Sequence, residues 1–307
     1  MNYISTRGGE TLNLAQILTR GTASDGGLFV PEKWPVISQQ ELSALLSGEY
    51  AAIAGQVLRH FGAESLPGNV TEAVASAMKD FPQPVGPPVN QIKEGLWVLE
   101  LMHGPTLAFK DFALAPLAEI IATTLQHQNR RATVLCATSG DTGAATVSAF
   151  ANRENLSAVV LFPEGGVSEF QRKQMTTTGA SNVLTLCVNG DFDTCQHLVK
   201  ALYQTDAAQS YGYTAVNSIN MIRILLQTAY YFRTSGLIKS KTGKLSNFIV
   251  PTGNFGNVYA AYIAKQMGAP IKQLIVTSND NDVLPRLFES SVMPVSYTHL
   301  RAHETDS

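Results

Sequence analysis

Residues 131–155 read RATVLCATSGDTGAATVSAFANREN. RATVLCA is a short, nearly continuous apolar run, TSGDTG is made of residues that turn a chain or cap a helix, and AATVSAFANREN spaces its apolar residues as a helix does. The stretch therefore predicts a strand, a tight loop and a helix. The same order recurs downstream. SAVVLFPEG (157–165) precedes SEFQRKQMTTTG (168–179), NVLTLCVNG (182–190) precedes DFDTCQHLVKALYQ (191–204), and YTAVNS (213–218) precedes INMIRILLQTAYYF (219–232). NFIVPTGNFG (247–256) then precedes NVYAAYIAKQMG (257–268), and QLIVTSN (273–279) precedes DVLPRLFES (282–290). Six strand–helix units in succession predict an α/β fold of parallel strands, buried on both faces and flanked by helices. Such sheets carry their sites at the carboxyl ends of strands. Two glycine-rich loops, TSGDTG and PTGNFGN, fall at such ends and are expected on successive units of one sheet.

Upstream the rhythm differs. LNLAQILTRG (12–21), SQQELSALLSGEYAAIAGQVLRHFG (38–62) and NVTEAVASAMKDF (69–81) carry apolar residues at helical spacing, so residues 1–81 read as a mostly helical N-terminal domain. FPQPVGPPVNQI (81–92) follows, and the four prolines 82, 84, 87 and 88 cannot continue a helix. A domain boundary is expected there, with an α/β region over 82–293. The closing stretch PVSYTHLRAHETDS (294–307) is polar and aperiodic. It reads as a tail resembling translated vector sequence.

With 307 residues, 45% of them hydrophobic and 15% charged, the chain is long enough to bury a core in two domains. A net charge of −2 gives no electrostatic case for nucleic acid or an anionic membrane surface. The opening MNYISTRGGETLNLAQ lacks the apolar centre of a signal peptide, and no run is long and apolar enough to span a bilayer. A cytoplasmic location is the expectation. Cys136, Cys187 and Cys195 form no CxxC pair, which argues against a disulfide framework or a zinc site. Cys136 and Cys187 sit in apolar runs and are expected to be buried. No metal is expected.

Three stretches carry chemistry. PTGNFGN (251–257) lies between an apolar strand and a helix, where converging backbone N–H groups and the helix dipole favour a phosphate. Its spacing fits neither GxGxxG nor a P-loop, and a plain tight turn explains Gly253 and Gly256 equally well. TSGDTG (138–143) adds hydroxyls to exposed N–H groups, which suits a carboxylate; as an isolated feature it is also an N-capping turn. HGPTLAFKD (103–111) supplies Lys110 behind Ala108 and Phe109, surroundings in which a lysine becomes a usable nucleophile toward an aldehyde. A lysine, a phosphate cradle and a carboxylate loop together are the minimum for a pyridoxal-phosphate enzyme acting on an amino acid.

HGPTLAFKDF, ATSGDTGAA, NSIN (217–220) and PTGNFGN, in this order, resemble the threonine synthase family. The resemblance runs from the N-terminal helices to about Met293, and the chain stops short of the length usual in that family. It implies a fold type II α/β enzyme with pyridoxal 5'-phosphate (PLP) held by Lys110, packed by Phe109, and bound at its phosphate by Gly253, Asn254, Phe255, Gly256 and Asn257. Lys110 is then also the acid and base of the reaction. The substrate implied is O-phospho-L-homoserine, converted with water to L-threonine and phosphate. Ser139, Gly140, Asp141 and Thr142 would take its carboxylate, and Asn217, Ser218, Asn220 and Arg223 would complete its site. Arg172 and Lys173 are further candidates for the second phosphate, and His103 is expected in a hydrogen-bonded structural role. The alternatives are another fold type II enzyme, such as a threonine dehydratase, a non-catalytic homologue, and an inactive fragment. The residues leave the oligomeric state open.

Overall fold

The structure is a computed structural model that describes residues 1–20, 22–216, 220–279 and 283–291. The chain starts with strand β1 (Asn2–Ser5), which pairs antiparallel with β2 (Thr11–Asn13) on one side and β3 (Phe29–Pro31) on the other. Helix α1 (Leu14–Leu18) follows β2, and α2 (Gln39–Ser47), α3 (Tyr50–His60) and α4 (Val70–Ala77) follow β3. The N-terminal part is thus helical with a small sheet attached, where the sequence pattern predicts helices alone. Its strands are three or four residues long, too short for alternation to register. The helical run 38–62 is also broken at Gly48, the C-cap of α2.

The proline stretch leads into a hairpin, β4 (Val89–Lys93) and β5 (Leu96–Leu99), which the reading of the sequence passes over. Helix α5 (Asp111–His127) comes next and carries Lys110 as its N-cap. The strand–helix units then run β6 (Ala132–Ala137), α6 (Asp141–Phe150), β7 (Leu156–Pro163), α7 (Glu169–Thr176), β8 (Val183–Val188) and α8 (Phe192–Tyr203). After them come α9 (Asp206–Ser210), β9 (Tyr213–Thr214), α10 (Met221–Thr242), β10 (Ser246–Pro251), α11 (Gly256–Gln266), β11 (Ile271–Thr277) and α12 (Val283–Ser290).

The parallel strands form two sheets. One has the order β8-β7-β6-β9, and β10 pairs with β11 in the other. The two glycine-rich loops, after β6 and β10, therefore belong to different sheets and not to successive units of one. In the four-stranded sheet Cys136, Val160 and Phe162 pack under α6 and α7, while Leu135 and Leu161 pack on Cys195 and Val199 of α8. Helices cover both faces there, as the unbroken apolar runs require. In the pair β10–β11 only one face is buried: Phe248 and Val250 point inward, and Ile249 is 63% exposed. Cys187 is likewise exposed, on the sheet's edge strand β8, where no described residue is fully buried, and not buried as expected. Cys136 is buried, and burial pushes its thiol up to about 11.

Helix α10 is the hub. Met221 to Gly236 are buried except at Arg233, and the helix packs against α2, α3, α5 and α11. Tyr50 ties this hub to the lysine-bearing helix. Pro116 lies inside α5 and has no N–H to give to the Phe112 carbonyl. The buried Tyr50 hydroxyl donates to that carbonyl instead, sharing its proton with the Leu226 carbonyl of α10 at 3.1 Å. Tyr50→Phe is expected to orphan the Phe112 carbonyl and to cost about 2 kcal/mol. A urea midpoint equal to that of the unmodified chain contradicts this role.

Candidate active site

Six of the described α-helices cap their own N-termini with a side chain. Asn13, Ser38, Asn69, Ser168, Asp191 and Asn220 accept backbone N–H groups at the starts of α1, α2, α4, α7, α8 and α10. Helix α3 has no side-chain cap, but its Tyr50 N–H donates to the Val85 carbonyl at 3.1 Å. At α5, α6 and α11 the N-cap residues are Lys110, Gly140 and Phe255, and none of these caps the helix with its own side chain. These three ends meet. Lys110 Nζ donates to both carboxylate oxygens of Asp141, the first residue of α6, at 2.8 Å each. Phe109, beside Lys110, lines a small cleft with Asn254, Gly256 and Asn257 from the start of α11 and with Arg223, Ile224 and Gln227 of α10.

Lys110 is 1% exposed and the Asp141 side chain 13%. A buried ammonium needs a counter-charge, and the two short bonds supply it. The Phe109 ring lies 4.3 Å below Nζ and adds its quadrupole. Next to the lysine, Asp111 is buried and accepts from the N–H and the hydroxyl of Thr106 at 2.8 and 2.7 Å. Burial pushes its carboxyl above the ordinary range, and those hydrogen bonds pull the other way.

The loop after β6 closes around Thr138. Its Oγ1 accepts from the N–H groups of Gly140 and Gly143 at 3.1 and 2.9 Å. Thr138 is thus the structural residue of the loop, and Ser139, Asp141 and Thr142 stand at its half-buried mouth. In the other loop, Asn257 Oδ1 accepts from the Tyr230 and Tyr231 hydroxyls at 2.6 and 2.9 Å. Burial pushes both phenols up, so they stay protonated and keep donating. Gly253, Asn254 and Phe255 are exposed around the start of α11.

The other residues expected at the site divide by where the structure puts them. Asn217 and Ser218 lie outside the described residues. Asn220, expected at the substrate, is the N-cap of α10: Oδ1 accepts from Ile222 and Arg223, and Nδ2 donates to the Ala215 carbonyl at 3.2 Å. Its amide is consumed by the fold. Arg223 is buried, and the cleft it lines is the one formed by the loop expected to bind the cofactor. Arg172 and Lys173 are exposed and bridge Glu169 of the same helix at 2.8 and 3.5 Å, so they face solvent. His103 bonds Glu100 at 2.6 Å, the structural role expected of it. The reading missed the Lys110–Asp141 pair and the two tyrosines, which come from 31, 27 and 26 residues away and leave no local signal.

The donors around this cleft suit one group. An uncapped helix end, a guanidinium and an amide recognise a phosphate, and a buried primary amine beside them recognises an aldehyde. These residues fit PLP. Elsewhere, no three described His, Cys, Asp or Glu side chains stand close enough to hold a metal, and no described helix is long and apolar enough to cross a membrane.

Comparison with known proteins agrees. The family described as pyridoxal-phosphate dependent enzyme matches residues 85–305, and that described as threonine synthase N terminus matches residues 2–77. The threonine synthase of Pseudomonas aeruginosa is 39% identical over 95% of this chain. A PLP-bound threonine synthase from Brucella melitensis superposes with a TM-score of 0.85 at 41% identity over 94% of this chain and 63% of its own. The Escherichia coli threonine synthase gives 0.85 at 34% identity, over 96% of this chain and 68% of its own. The chain spans 62% of the Pseudomonas protein's length and about three fifths of the other curated relatives'. Two family matches side by side on one chain, over the same fold, place it plainly: the chain belongs to the pyridoxal-phosphate dependent enzymes of fold type II, in the threonine synthase family.

Proposed function

We propose that this chain converts O-phospho-L-homoserine and water to L-threonine and phosphate. The observation that carries the reading is the buried Lys110 amine at the meeting of three helix N-termini whose N-cap residues supply no side-chain cap. Lys110 would hold PLP, with Phe109 packed beside it. The start of α11, with Gly253, Asn254, Phe255, Gly256 and Asn257, would take the cofactor phosphate. Because Oδ1 of Asn257 is occupied twice, what this residue has left for the cleft is its Nδ2 donors. Arg223 lines the same cleft, and its guanidinium would meet the same phosphate. When bound, PLP would act as an electron sink that makes the proton on the amino acid's Cα labile, and after it one on Cβ.

The remaining work belongs to the chain. Backbone N–H groups of Ser139, Asp141 and Thr142 would bind the substrate carboxylate at the positive end of α6, with Gly140 leaving room for it between them. The Asp141 side chain does not join them, because carboxylates repel; it stays on Lys110. Lys110 Nζ would move protons at the substrate's Cα and Cβ, and its hydrogen bonds to Asp141 support that reading by holding the amine in one place. Overall the Cγ–O bond breaks, phosphate leaves, and water supplies the hydroxyl at Cβ and the proton that balances it.

The test is a product assay on the 307-residue chain with PLP and O-phosphohomoserine. Phosphate and L-threonine are expected in equal amounts. Bound cofactor without phosphate release rejects the activity and returns the reading of an inactive fragment. Phosphate accompanied by a 2-oxo acid in place of threonine points to a dehydratase-like lyase.

A further inference from the structure

Helix α7 meets both halves of the site with one face. Gln171, Gln174 and Met175 are spaced i, i+3 and i+4, so they share a side of the helix. The Gln171 amide covers Gly140, where a Cβ would lie 2.9 Å from Nε2. Met175 is buried with Cys136, Ala144 and Val147 beneath α6. Gln174 is half-buried, and its Nε2 donates to the Thr106 carbonyl at 3.0 Å. The opposite face carries the exposed Glu169, Arg172 and Lys173.

Thr106 is held from its other side by Asp111, which takes its N–H and its hydroxyl. One residue of the turn is therefore fixed at three atoms, two by the neighbour of Lys110 and one by α7. The turn is built to keep that arrangement. Gly104 leaves room for the Asp111 carboxyl, since a Cβ there would lie 2.3 Å from Oδ2. Leu107 adopts φ 63°, with its N–H donating to the Gly104 carbonyl at 3.1 Å. A leucine in the left-handed region persists only where its surroundings over-determine it. Such a turn, three residues from Lys110, has one orientation fixed by the Asp111 and Gln174 bonds.

We propose that Gln174 is a positioning residue for Lys110: through Thr106 and Asp111, the seating of α7 sets where the lysine amine stands relative to the cleft. The proposal rests on the reading of Lys110 as the cofactor lysine. A carboxamide suits the task because its N–H donates to a peptide carbonyl at this reach. Small displacements of a reacting group are costly, on the order of 100-fold in rate for 1 Å.

The test incubates the full chain with PLP and a hydride reductant and follows the modified Lys110 peptide over time by mass spectrometry. Gln174→Leu is expected to slow labelling about tenfold or more, with an unchanged circular dichroism spectrum. Gln174→Lys keeps a donor of comparable reach and is expected to recover most of the rate, which a merely structural role would not produce. If Gln174→Leu fails to fold, Gln174→Glu, which sets a carboxylate against the Thr106 carbonyl, must label more slowly than Gln174→Lys. Equal rates in the chain and its Leu variant, or in the Glu and Lys variants, overturn the inference alone. An unmodified chain that never labels at Lys110 overturns the reading of the lysine, and the inference with it.

Discussion

Lys110→Ala is expected to lower phosphate release by about 10³-fold or more, because one side chain both holds the cofactor and moves the protons. Added PLP should then leave no visible absorbance that survives gel filtration. A variant that retains the absorbance removes Lys110 from the role given to it. The same substitution should also weaken the fold. It takes the ammonium away from Asp141, whose carboxylate is only 13% exposed. Breaking a buried pair by deleting one partner costs about 3 kcal/mol, chiefly through the charge left behind.

The second large effect separates the pair's charge from its chemistry. Asp141→Asn takes from the Lys110 ammonium, at 1% exposure, the carboxylate that receives two of its hydrogen bonds, and about 3 kcal/mol is the expected loss. Lys110→Met should cost a similar amount. Combining Lys110→Met with Asp141→Leu removes both charges and fills the space with apolar groups, so the double variant should be more stable than either single one. Urea midpoints give the coupling. Strict additivity, within about 0.5 kcal/mol, would mean that the two groups do not depend on each other.

How much of this was legible in the sequence follows from where each signal lives. The units from β6 to α12 are readable because apolar runs of six to eight residues and helical periods announce themselves within a short window. Their division into two sheets is not, because pairing is decided by tertiary packing. The hairpin β4–β5 did leave a signal, with two extended runs on either side of a turn containing Gly95 at φ 76°, and the prolines before it obscured it. The sheet of β1, β2 and β3 left none, since its pairings bring Tyr3 to Pro31 across a helix.

At the candidate site, Lys110 and the two loops are local motifs that the sequence displays, and the structure brings them together. Asp141 was singled out for a different reason: it sits in the loop expected to take a carboxylate, yet its side chain pairs with a lysine 31 positions earlier. Asn220 shows the opposite case. Asparagine before a long apolar helix is an N-cap signal in its own right, and the motif around it drew the reading toward substrate. Arg172 and Lys173 were plausible phosphate ligands by charge, but Glu169 one turn earlier identifies an outward-facing salt-bridged surface. Gln174 carried no sequence signal, because its partner is a backbone carbonyl 68 residues away.

The most direct test of the central claim is to locate the cofactor. The chain, loaded with PLP and reduced with borohydride, is digested and its peptides are mapped by mass. The account predicts a single modified site at Lys110, with release of phosphate from O-phosphohomoserine lost in the same preparation. A cofactor carried mainly on another lysine, or phosphate release that persists after Lys110 is blocked, would contradict it.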